Sequence, residues 1–512
     1  MTGTLKTLEP LRRHLLPISH LNSAASVLSW DQETYMPPGG GEARAEHLAT
    51  LQGLAHERLT SPETDDLLGR WLDLKTGEPL SGATDSWDPV ARALLRETWR
   101  DYTKARQVPN DFVRRLGKTC SLAQQAWAEA KKQDDFASFL PHLVAIVALK
   151  KEEVGYRGPV PTPYDALLDT YEPGATTAQL LPLFAALKSH LVTLLDRIVH
   201  SPVKPREDIL TRGYDRDRQL AFGRMALEAM GYDFDRGRLD ISAHPFTTSF
   251  HPSDVRVTTR VSEQDFTGSL FSCIHEGGHG LYDQGLPAAH YGTPLGESVS
   301  LGLHESQSRL WENCVGLSRP FWQHFYPLLQ HTFPDQLRAV AFDDFYAALN
   351  IVKPSFIRVD ADELTYNLHI MLRFEIERDL LEDRVRVEEL PQLWRDKMKG
   401  YLGIVPPTDR EGVLQDVHWS LGAIGYFPTY TLGNLYSVQF FNRARRDIPD
   451  LPDRIARGDL LSLKAWLNER IHQWGRLYTA DELVRRVTGE PLTPDHFLTY
   501  LENKYSELYK LS

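Results

Sequence analysis

The sequence predicts a mainly helical protein with one small β-sheet. Apolar residues recur at helical spacing along most of the 512-residue chain. Residues 239–260 differ, because threonine, serine and valine there occupy alternating positions, which is typical of short strands. The sequence has no internal repeat, low-complexity segment or flexible linker. We therefore expect one large unit and not a series of separate modules.

The N-terminal half is predicted to contain helices separated by proline-rich breaks. The first 60 residues indicate two helices around the proline and glycine turn at Met36 to Gly41, and residues 88–156 are again helical and charged. Residues 157–164, RGPVPTPY, form the clearest break. Thr176 or Thr177 can cap the following helix. The apolar stripe of that helix faces the core and contains Leu180, Phe184, Leu187, Leu191, Leu194 and Ile198.

The C-terminal half begins with the strand-like segment 239–260, which predicts two or three short strands. This small sheet either offers a peptide an edge for backbone hydrogen bonds or is purely structural. Ser262 and Glu263 are a plausible start for the helix that follows. From Glu297 to the end helices dominate, with interruptions expected at residues 403–408 and 425–433.

Composition and charge exclude several classes of protein. The formal net charge of −12 gives no electrostatic basis for binding nucleic acid or an anionic membrane. Cys120, Cys273 and Cys314 are odd in number and widely spaced, which argues against a disulfide framework and fits a reducing cytoplasm. The N-terminus lacks the apolar run of a signal peptide, and no stretch approaches the composition of a membrane span. We expect a soluble, cytoplasmic protein.

The rest of the chain is organised around residues 271–280, FSCIHEGGHG. His275 and His279 are four residues apart, so on a helix both imidazoles lie on one face and can bind one metal ion. Glu276 then points towards the open side of the ion, where a general base is needed. Cys273 faces away from His275 and is a poor ligand. The pattern is typical of a zinc hydrolase.

Two glycines inside this stretch, Gly277 and Gly278, are unfavourable for an isolated helix. Each costs a helix roughly 1 kcal/mol relative to alanine. The pair therefore indicates that another group lies close against this turn. The sequence leaves open whether that group is a bound peptide or a tightly packed neighbouring helix.

A catalytic zinc ion usually binds three protein ligands and one water molecule, so the motif needs one more ligand from a downstream helix. Two glutamates are candidates: Glu297 in GESVS and Glu305 in HESQS. Spacing alone does not separate them.

Five short motifs follow one another along the chain: DVRVT at Asp254, HEGGH at His275, HESQS at His304, IRVDAD at Ile357 and GVLQDVHW at Gly412. Together they resemble the motifs of the Taq carboxypeptidase family of metallocarboxypeptidases. The family forms are DxRxT, HExxH, HES or HEG followed by Q, an Arg with an Asp four residues on, and GxxQDxHW. All five occur here in family order and spacing. With WDQETYMPPG at Trp30, the resemblance runs from residue 30 to about residue 433.

The resemblance implies that His275, His279 and Glu305 bind zinc, one ion per chain, and that Glu276 is the general base. His304 is then expected to support a ligand and not to bind the ion itself. The resemblance also implies a mainly helical fold with a deep active-site groove, related to neurolysin and angiotensin-converting enzyme, and a homodimer. We expect a single peptidase domain over 1–512, with a helical groove wall at 1–235, a catalytic core at 236–440 and C-terminal helices at 441–512.

Further residues are assigned by matching chemistry to the motifs. The developing oxyanion needs a donor besides the metal, and His418 and Tyr430 are the main candidates, with Tyr426 in addition. A free C-terminal carboxylate suits a bidentate arginine. Arg358 is the first choice, as the resemblance implies, and Arg256 is the second. The alternative is that these arginines form structural ion pairs with the aspartates near them in sequence, Asp362 and Asp254.

We therefore expect a zinc metallocarboxypeptidase that releases single residues from peptides with a free C-terminus. Cobalt is a feasible substitute for zinc, because histidine and glutamate ligands accept several divalent metals. A zinc oligopeptidase or dipeptidyl carboxypeptidase is the alternative enzyme. A peptide-binding protein with a structural metal is the alternative outside enzymes.

Overall fold

The computed structural model describes residues 6–80, 82 and 87–511, and helices form most of this part of the chain. The helices before the sheet are α1 (Glu9–Thr34), α2 (Gly41–Leu59), α3 (Pro62–Gly69), α4 (Pro89–Gln107), α5 (Asn110–Gln133), α6 (Phe136–Tyr156), α7 (Pro163–Tyr171), α8 (Thr177–Val199) and α9 (Arg216–Met230). A short 3-10 turn, Pro38–Gly40, joins α1 to α2. The two predicted N-terminal helices and the turn between them are thus confirmed.

The sheet contains β1 (Gly237–Ile241), β2 (Thr247–His251) and β3 (Asp254–Thr259), in the spatial order β1-β3-β2. β1 runs parallel to β3, with Gly237 opposite Val255, and β2 runs antiparallel to β3, with Thr248 opposite Arg256. The strands predicted between 239 and 260 are present. β2 is an edge strand, and it packs beside the helix that follows the sheet.

The helices after the sheet begin with α10, which contains the HEGGH motif. They are α10 (Thr267–Gly285), α11 (Leu301–Arg309), α12 (Arg319–Thr332), α13 (Pro334–Leu337), α14 (Phe342–Leu349), α15 (Tyr366–Leu381), α16 (Leu390–Leu402), α17 (Pro428–Asp447), α18 (Leu451–Ala456), α19 (Leu461–Arg470), α20 (Ala480–Thr488) and α21 (Asp495–Tyr509). A π-helical segment, Leu310–Gly316, continues directly from α11.

Buried apolar side chains form two clusters in the part of the chain that the structure describes. The larger cluster runs from Ala123 to Tyr509 and surrounds α10, α11, α15 and α17. The smaller cluster joins α1, α3 and α4 to Leu295, in the connection between α10 and α11. The division of one peptidase domain at residues 235 and 440 stays a prediction.

The helix α8 has the cap and the buried stripe that its sequence predicts. The Thr176 side chain accepts a hydrogen bond from Gln179 N, and the Gln179 side chain accepts one from Thr176 N, which completes a capping box. α8 is also long and apolar enough to span a membrane by length and composition, contrary to our expectation that no stretch would be. Its apolar stripe is buried in the larger core cluster, as expected of a core helix.

Two predicted element boundaries were wrong. α10 begins at Thr267 and not at Ser262 or Glu263. The side chain of Asp265 accepts hydrogen bonds from Thr267 N (2.8 Å) and Gly268 N (3.3 Å), the first two backbone amides of α10. These bonds satisfy the free amides at the helix start, which therefore lies after Asp265.

The second correction concerns the break expected at residues 425–433. The segment between α16 and α17, residues 403–427, contains no helix or strand, and α17 then runs straight through Gly433. This glycine is inside a helix because a Cβ there would lie 2.5 Å from Glu305 Cγ on α11. Close packing of α17 against α11 therefore explains a glycine that the sequence pattern assigned to a break.

Candidate metal centre and active site

α10 and α11 bring three potential metal ligands together. The ligand atoms of His275, His279 and Glu305 all lie within 4.8 Å of one another. Glu305 Oε2 is 3.7 Å from His275 Nε2 and 3.4 Å from His279 Nε2. Tetrahedral zinc with bonds of about 2.0–2.1 Å places neighbouring ligand atoms roughly 3.4 Å apart. The donor set and its spacing therefore fit a divalent ion of zinc's size.

Hydrogen bonds fix the orientation of both imidazoles. His275 Nδ1 lies 2.7 Å from Glu312 Oε2, so its Nε2 is directed at the other ligands. His279 Nδ1 lies 2.5 Å from His304 Nδ1, and His304 Nε2 lies 3.0 Å from Asp283 Oδ1. Support of this kind holds a metal-binding histidine in one tautomer and orientation. His304 thus lies against the candidate ligand His279, as expected of a residue that supports a ligand.

The carboxylates around the ligands are held ionised by one arginine. Arg309 Nε donates to Glu305 Oε1 (2.7 Å), and Arg309 Nη1 donates to Glu312 Oε2 (3.1 Å). Burial raises the pKa of Glu305, but the positive charge of Arg309, together with the neighbouring imidazoles, outweighs burial and holds that pKa well below its usual range. The carboxylate is therefore available as a ligand at neutral pH.

Sequence reasoning missed Glu312 and Asp283. Glu312 belongs to the π-helical segment that follows α11, and π-helical turns are frequent at functional sites. Its position seven residues after Glu305 was a usable signal, since two helical turns return to the same face. Asp283 lies four residues after His279 on α10, on the same face of that helix.

The two candidates for the third ligand have different surroundings. Glu297 lies before α11, and its carboxylate forms an ion pair with Arg476 (3.1 Å). Arg476 also pairs with Asp101 and Glu97 on α4. Glu305 belongs to the histidine cluster. The geometry thus favours Glu305, a choice that spacing did not allow.

The glycines of the HEGGH motif allow neighbouring helices to pack closely. A Cβ at Gly278 would lie 2.6 Å from the carbonyl oxygen of Gln307 and 2.7 Å from Ser308 Cα on α11. A Cβ at Gly277 would lie 2.4 Å from Leu227 Cδ2 on α9. Of the two explanations that the sequence left open, the structure places helices, and not a groove for peptide, against these two positions.

Glu276 lies between the metal ligands and the sheet. Only 7% of its surface is exposed, and its Oε2 accepts a hydrogen bond from Thr247 Oγ1 of β2 (2.7 Å). No hydrogen-bond donor among the described residues reaches the other carboxylate oxygen, Oε1. Thr247 therefore orients the carboxylate while leaving one oxygen for a reacting group.

A second charged cluster contains Arg358, Arg373 and Asp416. Arg358 Nε donates to Asp416 Oδ1 (3.0 Å), and Arg373 Nε donates to Asp416 Oδ2 (2.6 Å). Arg358 Nη1 also donates to the hydroxyl of Tyr366 (2.8 Å). All of these groups are largely buried. Two buried guanidinium groups therefore share a single carboxylate, which leaves one positive charge uncompensated within this cluster.

The expected ion pair between Arg358 and Asp362 is absent from the described residues, because Asp362 has other partners. Its carboxylate accepts from Thr365 N (2.9 Å) and Thr365 Oγ1 (2.7 Å) and caps the turn before α15. Asp416 takes its place as the partner of Arg358. The sequence contained Asp416 in QDVHW, but nothing in its spacing connected it to a residue 58 positions away.

The ion pair expected for Arg256 is present. Arg256 Nε and Nη2 donate to the two carboxylate oxygens of Asp254 (2.9 and 3.0 Å), and the guanidinium packs on the ring of Trp30, 4.2 Å from its centroid. These contacts occupy the bidentate edge of the planar group and pack it against an aromatic ring. The geometry thus favours the structural explanation for Arg256, and Trp30 is part of it.

Aromatic residues join the arginine cluster to the metal ligands. The ring of Tyr366 lies beside Arg309, whose guanidinium is 4.4 Å from its centroid, while its hydroxyl binds Arg358. The ring of Tyr430 lies 5.0 Å from the Arg358 guanidinium. The metal-ligand cluster and the uncompensated arginine charge are therefore neighbours in one site.

His418 and Tyr430 form a pair in this site. His418 Nε2 lies 3.2 Å from the Tyr430 hydroxyl, and Tyr426 packs against both rings, with centroids 5.4 and 5.1 Å away. Burial lowers the pKa of His418 to about 4, so its imidazole is neutral at neutral pH. Burial raises the pKa of Tyr430 above its ordinary value and that of Tyr426 to about 12, so both hydroxyls keep their protons.

The fold and this donor set define a metallopeptidase. The family model for Carboxypeptidase Taq (M32) metallopeptidase matches residues 10–505, and the chain belongs to that family. It is 45% identical over 503 residues to "Thermostable carboxypeptidase 1" of Thermus thermophilus, covering 96% of each chain. It is 39% identical over 494 residues to "Carboxypeptidase 1" of Bacillus subtilis, covering 96% of this chain and 97% of that one.

Solved structures agree with these relatives. The crystal structure of an M32 carboxypeptidase from Deinococcus radiodurans superposes with a TM-score of 0.93 at 40% identity, over 99% of this chain and 100% of that one. A Pyrococcus furiosus carboxypeptidase structure gives a TM-score of 0.93 at 39% identity, over 99% of both chains. The predicted family, the mainly helical fold class and the activity, metallocarboxypeptidase, are thus confirmed.

Proposed function

We propose that this metallocarboxypeptidase releases single amino acids from the free C-terminus of peptides, with zinc bound by His275, His279 and Glu305. The uncompensated charge of the Arg358 cluster beside the metal ligands carries the proposal. Two buried guanidinium groups that share one carboxylate are costly to bury. The carboxylate of a peptide's C-terminal residue would neutralise the excess charge through a charge-assisted hydrogen bond to Arg358.

The chemistry at the scissile bond uses Glu276 and the aromatic pair. A bound divalent ion lowers the pKa of the attacking water to about 7 and polarises the scissile carbonyl. Glu276 Oε1 accepts the proton of this water and returns it to the leaving amine, while Thr247 holds Oε2. If His418 donates from Nε2 to the Tyr430 oxygen, the phenolic proton is free to stabilise the oxyanion.

We propose that the edge of β2 binds the peptide backbone upstream of the scissile bond. Thr258 N of β3 donates to Phe246 O (3.0 Å), so the backbone groups of the alternate residues Thr247 and Ser249 face away from β3. An extended peptide can pair with them as an additional strand. Because Thr247 also contacts Glu276, such a peptide would pass directly in front of the base. Tyr426, whose ring packs against those of His418 and Tyr430, is assigned to substrate contact.

The identity of the ion and the oligomeric state are part of the same proposal. Two imidazoles and a carboxylate suit zinc, and they accept cobalt as well. The homodimer rests on the resemblance of the motifs to the family. Elemental analysis of the purified protein identifies the ion, and light scattering during size-exclusion chromatography measures the oligomeric state. A working ion other than zinc or cobalt, or a monomer at micromolar concentration, would contradict these parts.

The two arginines give a matched test of chain-end recognition. Arg358→Ala leaves Arg373 paired with Asp416, so the fold tolerates it, but the peptide carboxylate loses a charge-assisted bond worth about 1.5–3 kcal/mol. We expect KM for free-acid peptides to rise roughly 10- to 100-fold. Arg256→Ala, whose partner is Asp254, should leave KM nearly unchanged. An unchanged KM in Arg358→Ala, with normal metal content, would show that the carboxylate contact is misassigned.

A dipeptidyl carboxypeptidase or an oligopeptidase would use the same metal ligands and base. The masses of the released products separate these alternatives, because they show one residue, two residues or internal fragments.

A further inference from the structure

The segment at residues 403–427 carries three residues of the site without a regular element to hold them. Asp416, His418 and Tyr426 lie in the irregular chain between α16 and α17. Strands and helices fix their shape through repeated backbone hydrogen bonds, whereas an irregular segment depends on specific side-chain contacts. The position of these three residues therefore depends on what the segment is anchored to.

One carboxylate on α15 anchors the segment at two points. Glu377 is fully buried and accepts from the indole Nε1 of Trp419 through Oε1 (2.9 Å) and from Gly425 N through Oε2 (3.0 Å). Its Oε2 also accepts from the hydroxyl of Tyr164 on α7 (2.8 Å). Trp419 follows His418 directly, and Gly425 precedes Tyr426 directly.

The backbone at the second anchor is constrained as well. Gly425 has a φ of +97°, and a Cβ there would lie 2.9 Å from the backbone of Leu167 on α7. The segment therefore lies flat against α7 at the point where Glu377 binds it. A change in either hydrogen bond would move the neighbouring side chains, His418 at one end and Tyr426 at the other.

We propose that Glu377 is a positioning residue for the reaction, which holds His418 and Tyr426 in place through Trp419 and Gly425. The inference rests on the roles proposed above for His418 and Tyr426. Glu377 touches neither substrate nor metal ligand, since it acts from α15 through the two donors. A displacement of about 1 Å in a group that contacts the reacting atoms can cost roughly 100-fold in rate.

The chemistry of the anchor requires a carboxylate. The indole N–H and the amide N–H can only donate, so both oxygens of Glu377 must accept. A glutamine in this place would present its NH₂ group to one of these two donors, whichever way its amide is turned. Glu377→Gln therefore keeps the size of the side chain but breaks one anchor.

The test compares Glu377→Gln with Tyr164→Phe, which removes a donor to the same carboxylate from α7 and none from the segment. We expect kcat/KM of Glu377→Gln to fall about 100-fold, while Tyr164→Phe stays within about threefold of wild type. Metal content should be normal in both, because the metal ligands lie on α10 and α11. Assays are run well below the melting temperature of each variant, so that a loss of stability alone does not lower the rate.

A double-mutant cycle provides a readout that a merely structural role would not move. Trp419→Phe removes the indole donor. If Glu377 acts through Trp419, the rate losses of Glu377→Gln and Trp419→Phe should not multiply in the double variant. Losses that multiply, or a wild-type rate in Glu377→Gln, would overturn the inference.

Failure of the proposed function is recognised separately. The product masses of the wild-type enzyme test single-residue release from free C-termini. The ratio of variant to wild-type rate tests Glu377 on whichever peptide the wild-type enzyme cleaves.

Discussion

Gly278→Ala tests whether close approach of α10 and α11 sets the metal-ligand geometry. The added Cβ would lie 2.6 Å from a backbone oxygen of α11, where an ordinary contact is 3.4 Å or more. Neither that oxygen nor Ser308 Cα can rotate away, so the two helices must separate by roughly 0.8 Å. His279 is the next residue on α10, and Glu305 lies two residues before Gln307 on α11.

The magnitude follows from two opposing effects. Overpacking of a close interface costs about 1–3 kcal/mol, and the upper value applies here because the added Cβ clashes with backbone atoms. Replacing glycine by alanine inside a helix stabilises the helix by about 1 kcal/mol. We expect a net loss of stability of about 2 kcal/mol, together with a drop in metal affinity of at least tenfold, since Glu305 moves relative to both histidines.

The assay is urea unfolding of the metal-free protein and competition of the loaded protein against a chelator. Gly268→Ala is the matched control in the same helix, because its Cβ would meet only Asp265 Oδ2 at an ordinary 3.6 Å. The control should show no loss in either measurement. Equal stability and equal metal affinity in the two variants would refute the argument that α11 is held by this contact.

Three further substitutions test the general base, the support of a metal ligand, and a buried carboxylate outside the site. Glu276→Gln should retain the metal and lose about 10²- to 10⁴-fold in kcat, because the general base is removed. Metal analysis and steady-state rates measure the two effects, and near-wild-type turnover would disprove the role of Glu276 as the base. Glu312→Ala should weaken metal binding about 10- to 100-fold, since His275 loses the acceptor at Nδ1; a chelator titration measures it, and unchanged affinity would contradict it. Glu172 follows α7 directly and is buried, and its carboxylate accepts from Gly302 N of α11 (2.9 Å). Burial raises its pKa from 4.5 to about 7, so the folded protein binds more protons than the unfolded chain between these values, and stability falls as pH rises through this window. Glu172→Gln, whose amide oxygen can still accept from Gly302 N, should be more stable relative to wild type at pH 8 than at pH 5; melting temperatures at the two pH values test the sign, and an equal difference at both would rule it out.

The elements that the sequence predicted best are those with a strong local signal. The Thr176 cap and the stripe of α8 need only neighbours within a few turns, and the HEGGH motif carries its own helical spacing. The motifs also made Glu305 the expected ligand. The start of α10 was also a local signal, since Asp265 accepts from the nearby Thr267 N, but Ser262 and Glu263 offered a competing start. Local signals fail where distant residues decide, as where the Glu305 side chain on α11 selects Gly433 inside α17.

The residues that sequence reasoning missed act through contacts over long separations. Asp416 binds Arg358 and Arg373 from 58 and 43 positions away, and Glu377 binds Trp419 and Gly425 from 42 and 48 positions away. A buried carboxylate with such partners has no periodic pattern around it. The excess positive charge of the cluster formed by Arg358, Arg373 and Asp416 becomes visible only when α15 is packed against the 403–427 segment.

The measurement that tests the central claim most directly follows one peptide by mass spectrometry, as its free acid and as its C-terminal amide. The metal-loaded enzyme is compared with a chelator-treated control. The account predicts stepwise loss of single residues from the free acid, little cleavage of the amide, and no cleavage in the chelator control. Equal cleavage of the free acid and the amide would contradict the role of Arg358 and favour an oligopeptidase built on the same metal ligands.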